Sequence, residues 1–206
     1  MEPFEDRVRR GGNTALMELE KFFMGEGVVH TTLRRITAKL KELQIPYAVA
    51  GGMALNAHGY QRATTDVDIL VNREGLQKIH AALEGLGYVA PFNGSKNLRE
   101  TTSNTRIEFL ITGDYPGDGK PKPMPFPDPS QVAVEIDGIS YLSLPSLIEL
   151  KLASGMTNPQ REKDLTDVLE LIMLLQLPRE TVEQLNPYVR ERFIERWNLA
   201  HLDDSH

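Results

Sequence analysis

Gly51-Gly52-Met53-Ala54-Leu55, followed by Arg62-Ala63-Thr64-Thr65-Asp66-Val67-Asp68-Ile69, is the stretch on which the reading of this chain turns. It is preceded by Tyr47-Ala48-Val49-Ala50, an apolar run too short for a helix, which predicts a buried strand ending at the glycine pair. Met53 to Tyr60 reads as a short helix and Val67 to Val71 as a second strand. Residues two apart in a strand face the same side, so Asp66 and Asp68 present two carboxylates together. Burying such a pair without a cation raises a carboxylate pKa, whereas hard oxygen donors of this kind suit Mg²⁺. Taken alone, an Asp-x-Asp pair reads more readily as a solvated strand edge or a turn. Context changes that reading. The glycine pair sits between a strand and a helix, where missing side chains open the backbone N–H groups to a polyphosphate. It precedes the acidic pair by 14 residues counted from Gly52 to Asp66, room for one helix and one turn.

Outward from this stretch the pattern is mixed. On the N-terminal side, Thr31 to Gln44 carries Leu33, Ile36, Leu40 and Leu43 at helical spacing, with Thr31 or Thr32 as caps, and Thr14 to Phe23 predicts a peripheral helix. On the C-terminal side come a helix over Arg73 to Gly85, a short strand at Tyr88 to Ala90 and a strong strand over Arg106 to Thr112. Gly113 to Ser130 holds six prolines, which excludes regular structure and predicts a functional loop beside the acceptor side of the site. Val132 to Ile136 and Ile139 to Leu142 form a hairpin across Asp137-Gly138. Helices over Leu144 to Ser154 (with a Ser146/Glu149 capping box), Pro159 to Leu175, Arg179 to Leu185 and Tyr188 to Leu199 follow. The expected fold class is α/β (α+β), a small mixed sheet flanked by helices. The expected divisions are an N-terminal helical extension over 1–30, a core over 31–143 and a helical C-terminal lobe over 144–206.

Composition narrows the chemistry. The chain has no cysteine, which excludes disulfides, thiolate zinc sites and cysteine nucleophiles, so any metal must take oxygen or imidazole ligands. A formal net charge of −6 predicts poor non-specific affinity for nucleic acid, the one basic stretch being Arg34, Arg35, Lys39 and Lys41. No apolar run has the length to cross a bilayer and the first residues are acidic rather than basic and apolar, so no membrane partner and a cytoplasmic location are expected.

With these residues in place, Gly51 to Leu55, His58-Gly59 and Arg62 to Ile69 together resemble the first motif of the AbiEii-type nucleotidyltransferases, of the polymerase-β-like nucleotidyltransferase superfamily. Leu147-Ile148-Glu149-Leu150-Lys151-Leu152 and Arg161-Glu162-Lys163-Asp164-Leu165-Thr166-Asp167-Val168 resemble that family's Lys-bearing and Arg-x-Lys-Asp helices. The resemblance implies a nucleotidyltransferase fold and a third carboxylate at Glu108, where many relatives carry Asp. It further implies one or two Mg²⁺ ions on Asp66, Asp68 and Glu108, and a nucleoside triphosphate (ATP or another) held by Gly51, Gly52, Lys151, Arg161 and Lys163. Arg62, Thr64 and Asp164 are additional site candidates. The activity implied is transfer of a nucleoside monophosphate to a hydroxyl acceptor, RNA (tRNA included) or a small molecule, in a toxin-like protein with an antitoxin-like partner. An inert nucleotide- or protein-binding module of the same fold is the alternative. Local pattern leaves several roles open: Glu108 also fits a surface residue between Ile107 and Phe109, Lys151 a solvated lysine, Arg161 and Asp164 an intrahelical pair, and Arg62 and Thr64 a loop-fixing role.

Overall fold

The computed structural model describes residues 4–202. Two helices, α1 (Phe4–Arg9) and α2 (Gly12–Phe23), precede α3 (Val28–Glu42). Helix α3 begins a turn earlier than predicted, with Gly27 at its N-cap. Thr32 is therefore inside the helix and buried, and its hydroxyl donates to Glu100 at 2.8 Å instead of capping. Strand β1 (Tyr47–Val49) then leads directly into α4 (Gly51–Ala57), so the glycine pair forms the first residues of that helix, not a turn ahead of it. Strand β2 (Asp66–Val71), α5 (Arg73–Leu83), β3 (Tyr88–Val89), β4 (Leu98–Glu100) and β5 (Arg106–Ile111) follow.

The sheet has seven strands in the order β3-β4-β5-β2-β1, completed by the hairpin of β7 (Ile139–Leu142) and β6 (Ala133–Ile136). It is mixed: β2 runs antiparallel to β1 but parallel to β5, and β1 runs parallel to β7. In the β2–β5 ladder Asp66 stands opposite Arg106 and Asp68 opposite Glu108. The intervening Val67, Ile69, Ile107 and Phe109 are fully buried, so period-two alternation puts the apolar residues in the core and the charged ones on the other face. The hairpin turns through Asp137 and Gly138, both at positive φ (48° and 74°), as its Asp-Gly sequence predicts.

The segment between β5 and the hairpin is irregular until Pro129-Ser130, which open a one-turn helix α6 (Pro129–Val132). Its base is closed by Gly113 N–H donating to Phe126 C=O at 2.9 Å and Phe126 N–H donating to Asp114 C=O at 2.7 Å. Helix α7 (Leu144–Thr157) does not stop before Gly155. A Cβ there would lie 2.5 Å from Leu165 Cγ, so this glycine is a point of close helix packing. The predicted capping box is also not formed: Glu149 accepts the Asn186 N–H instead. A 3₁₀ turn (Pro159–Arg161), α8 (Glu162–Leu174), a second 3₁₀ segment (Arg179–Gln184) and α9 (Pro187–Ala200) complete the chain. Leu165, Val168, Leu171 and Ile172 of α8 join Leu147, Ile148 and Leu152 of α7 in the same apolar cluster as the sheet. Among the described residues no helix is long and apolar enough to cross a membrane.

Candidate active site

Strand alternation and the β2–β5 register bring Asp66, Asp68 and Glu108 together, with one carboxylate oxygen from each within 4.8 Å of the others. What allows this proximity is upstream. Gly51 has φ 58° and a Cβ on it would fall 1.8 Å from Asp68 Oδ2; a Cβ on Gly52 would fall 2.7 Å from Thr64 Cβ. The two glycines thus make room for the acidic strand and for the loop that enters it, a requirement beyond access to a polyphosphate. The Ala50 N–H donates to the Asp68 carbonyl at 2.8 Å and fixes the junction.

The three carboxyl groups differ in environment. Burial alone would raise Asp66, but hydrogen bonds from Thr64 Oγ1 (2.7 Å) and Arg106 Nη2 (2.9 Å) outweigh it and hold its pKa below the ordinary range. Asp68 keeps some accessible surface as a residue, yet its carboxyl is enclosed. Burial, then the neighbouring charges of Asp66 and Glu108, push its pKa up to about 7, with Lys151 and Arg161 offsetting only part of the rise. Glu108 is paired to the same Arg106 nitrogen at 3.0 Å. Three oxygen donors, one of them made hard to ionise by burial and by its two acidic neighbours, fit a hard divalent cation.

All the predicted site residues line one polar cavity of about 280 Å³. Gly51, Gly52 and Thr64 form one wall, and Asp66, Asp68 and Glu108 the floor. Arg62 comes from the α4–β2 loop, Lys151 from α7, Arg161 from the 3₁₀ turn ahead of α8, and Lys163 and Asp164 from α8. With Arg106 the cavity carries five cationic side chains against four carboxylates. Lys151 is not the solvated lysine its local pattern allows: its side chain is 8% exposed and its Nζ donates to Asp164 at 3.0 Å and Asp167 at 2.6 Å. Asp167 also accepts from Arg62 at 2.5 Å, and Asp164 from Ser154 Oγ at 2.8 Å. Burial raises the Asp164 pKa less than the Lys151 charge and the Lys151 and Ser154 hydrogen bonds lower it, so it stays ionised. Arg161 is exposed and reaches Asp164 only at 4.0 Å. Arg62 therefore fixes the loop to α8, and Thr64 orients Asp66.

Arg106 and Asp167 were missed as site residues. Arg106 opens the predicted strand that carries Glu108, and Asp167 lies in the Arg161 to Val168 motif. Arg106 is two residues before Glu108 on the same strand face, and Asp167 is three after Asp164 on the same helix face, spacings that place them beside their neighbours. The Gly113–Ser130 loop contributes Pro116, Gly117 and Phe126 to a smaller adjoining cavity that also touches Asp68, Glu108 and Lys151, so it stands at the site.

No curated protein sequence matches the chain. Among solved structures, the fold is similar to that of ANT(2″)-Ia in complex with adenylyl-2″-tobramycin, with a TM-score of 0.54 and 18% identity over 81% of this chain and 97% of that one. The solution structure of the antibiotic-resistance factor ANT(2″)-Ia gives the same score and identity over 85% and 97%. A candidate nucleotidyltransferase from Thermotoga maritima matches at 0.44 and 22% over 68% and 91%. At these identities the likeness is one of fold. The sequence itself goes further: residues 18–182, well over half of the chain, match the model of a family described as uncharacterised nucleotidyltransferase, and the chain belongs to that nucleotidyltransferase family.

Proposed function

We propose that the protein transfers a nucleoside monophosphate from a nucleoside triphosphate to a hydroxyl acceptor, in a reaction that depends on a divalent cation. The observation that carries this is the convergence of Asp66, Asp68 and Glu108 within 4.8 Å at the floor of a cation-lined cavity. Asp66, Asp68 and Glu108 would hold Mg²⁺, which when bound offsets charge on the phosphoryl oxygens. The remaining steps belong to the chain's own groups. The Gly51-Gly52 backbone, Lys163 and Arg161 take the β- and γ-phosphates, while Lys151 adds positive potential from behind Asp68. Glu108 receives the proton of the acceptor hydroxyl, whose oxygen bonds to the α-phosphorus. The bond from that phosphorus to the bridging oxygen breaks and pyrophosphate leaves.

Within the same reading the AbiEii-type resemblance points to an RNA acceptor in a toxin-like protein with an antitoxin-like partner, whereas the net charge of −6 points to a small-molecule acceptor. A second reading, a nucleotide-binding module without transfer, is favoured by Arg106, which neutralises two of the three carboxylates. Labelled nucleoside triphosphates, Mg²⁺ and either total RNA or a metabolite extract separate these cases. Transfer must occur in one mixture and vanish in Asp66→Ala and Asp68→Ala. Retained transfer in both variants would sink the mechanism, and magnesium-dependent nucleotide binding without pyrophosphate release would leave the inert module.

A further inference from the structure

Glu108 takes part in a second polar cavity, of about 330 Å³, between the residues just ahead of β4 and the irregular loop. It shares with the triad cavity only Glu108 and Arg161, and adds Lys96, Tyr115 and Asp118. An in-line displacement needs the nucleophile on the side of the α-phosphate opposite the leaving pyrophosphate. The glycine pair and Lys163, which take the pyrophosphate in the reading above, line the triad cavity and not this second one, which leaves the space beyond Glu108 for the nucleophile.

The charges of this cavity are unevenly satisfied. Its carboxylates are neutralised, Glu108 by Arg106 at 3.0 Å and Asp118 by Lys122 at 2.7 Å. The Lys96 ammonium and the Tyr115 hydroxyl have no hydrogen-bond or ion-pair partner among the described residues, and Arg161 has only its 4.0 Å contact. The loop wall is built to stay in place. Lys122 is buried beneath it, donating to Asp118, to the Pro116 carbonyl and to Thr157 of α7, and a Cβ on Gly117 would lie 2.8 Å from the Ser154 carbonyl.

We infer that this second cavity seats the acceptor, and that the acceptor is a small hydroxylated anion of the sugar phosphate or sugar acid class, held through Lys96 and Tyr115. The inference rests on the transfer reading above. Spare positive charge disfavours a polycation, and a cavity of this size in a chain of net charge −6 disfavours a nucleic-acid strand. The acceptor hydroxyl would give its proton to Glu108 as its oxygen bonds to the α-phosphorus and pyrophosphate departs.

The test is calorimetric titration of the full chain with ribose, glucose and glycerol phosphates, gluconate, the parent polyols, tobramycin and total RNA. Binding of at least one phosphate or acid and of no parent polyol is expected, weakened about tenfold by Lys96→Glu and by Tyr115→Phe, the loss of one charged or polar contact each. Magnesium-dependent nucleotide binding must be unchanged in both variants. The inference is overturned if no anionic probe binds, if binding is indifferent to both substitutions, or if tobramycin or RNA is the species they affect. Failure of the wild type to bind magnesium and nucleotide would instead remove the transfer reading, a result visible independently of the acceptor titrations.

Discussion

Asp68 carries its own pH dependence. An aspartate ionises in the unfolded chain above about 3.8, while in the folded chain Asp68 holds its proton up to about 7. Between those values the native state binds more protons, so this residue's contribution to stability is present at low pH and is lost as pH rises towards 7. Asp68→Asn removes the ionisation. In a chelator, its melting temperature should fall less steeply over that interval and exceed the parent's at about pH 8. An unchanged slope and a lower melting point would contradict the assignment. Gly51→Ala places a methyl where Asp68 Oδ2 now lies and strains a positive φ, so stabilisation by Mg²⁺, read as a shift in melting temperature, should disappear. Arg106→Met removes the guanidinium that competes for Asp66 and Glu108; titration with Mg²⁺ or Mn²⁺ should show binding about tenfold tighter or more. The acidic pair was legible because strand alternation makes two adjacent carboxylates visible in a short motif. The partners across the ladder were harder to see, since the register that sets Arg106 against Asp66 is not written in either strand alone.

Among the elements, α7 and α8 are tied by apolar packing and by the buried Lys151–Asp164–Asp167 cluster. Removing one member of a buried charge cluster leaves the others without compensation. Lys151→Met is therefore expected to destabilise the fold by about 3–5 kcal/mol, measured by urea denaturation, in addition to any loss of transfer. A stability within about 1 kcal/mol of the parent would return Lys151 to a purely electrostatic role at the site. Helices with a clear apolar stripe, such as α5 and α8, were readable from spacing, as was the Asp-Gly hairpin. The misreadings have physical causes. Thr31 and Thr32 suggest the start of α3 because threonine is a good cap, but the Thr32 hydroxyl makes a tertiary bond to Glu100 instead. A helix that ends at Ser154 is expected because Gly155 follows it, but a tight helix contact and a helix end ask for the same residue. Strand β4 is three residues long and carries no periodic signal.

For the whole molecule, the mixed class of fold follows from the alternation of helical and strand patterns along the chain, whereas the strand order does not. Pairing of β1 antiparallel to β2 and parallel to β7 depends on how helices cross the sheet, which local spacing does not encode. The charge balance does act at this scale. A net charge of −6 predicts that total RNA is not retained by the protein at about 150 mM salt; firm retention in a filter-binding assay would count for an RNA acceptor. The parallel β2–β5 ladder has a further consequence. It sets the acidic cluster and the interior by one common register, so a single inserted or deleted residue in either strand would turn core side chains outward and carboxylates inward together. Sequence drift in these two strands is thus restricted by folding as much as by chemistry. The stretches around Lys96 and Tyr115 lie outside that ladder, so substitutions in that part of the proposed acceptor cavity are free of that restriction.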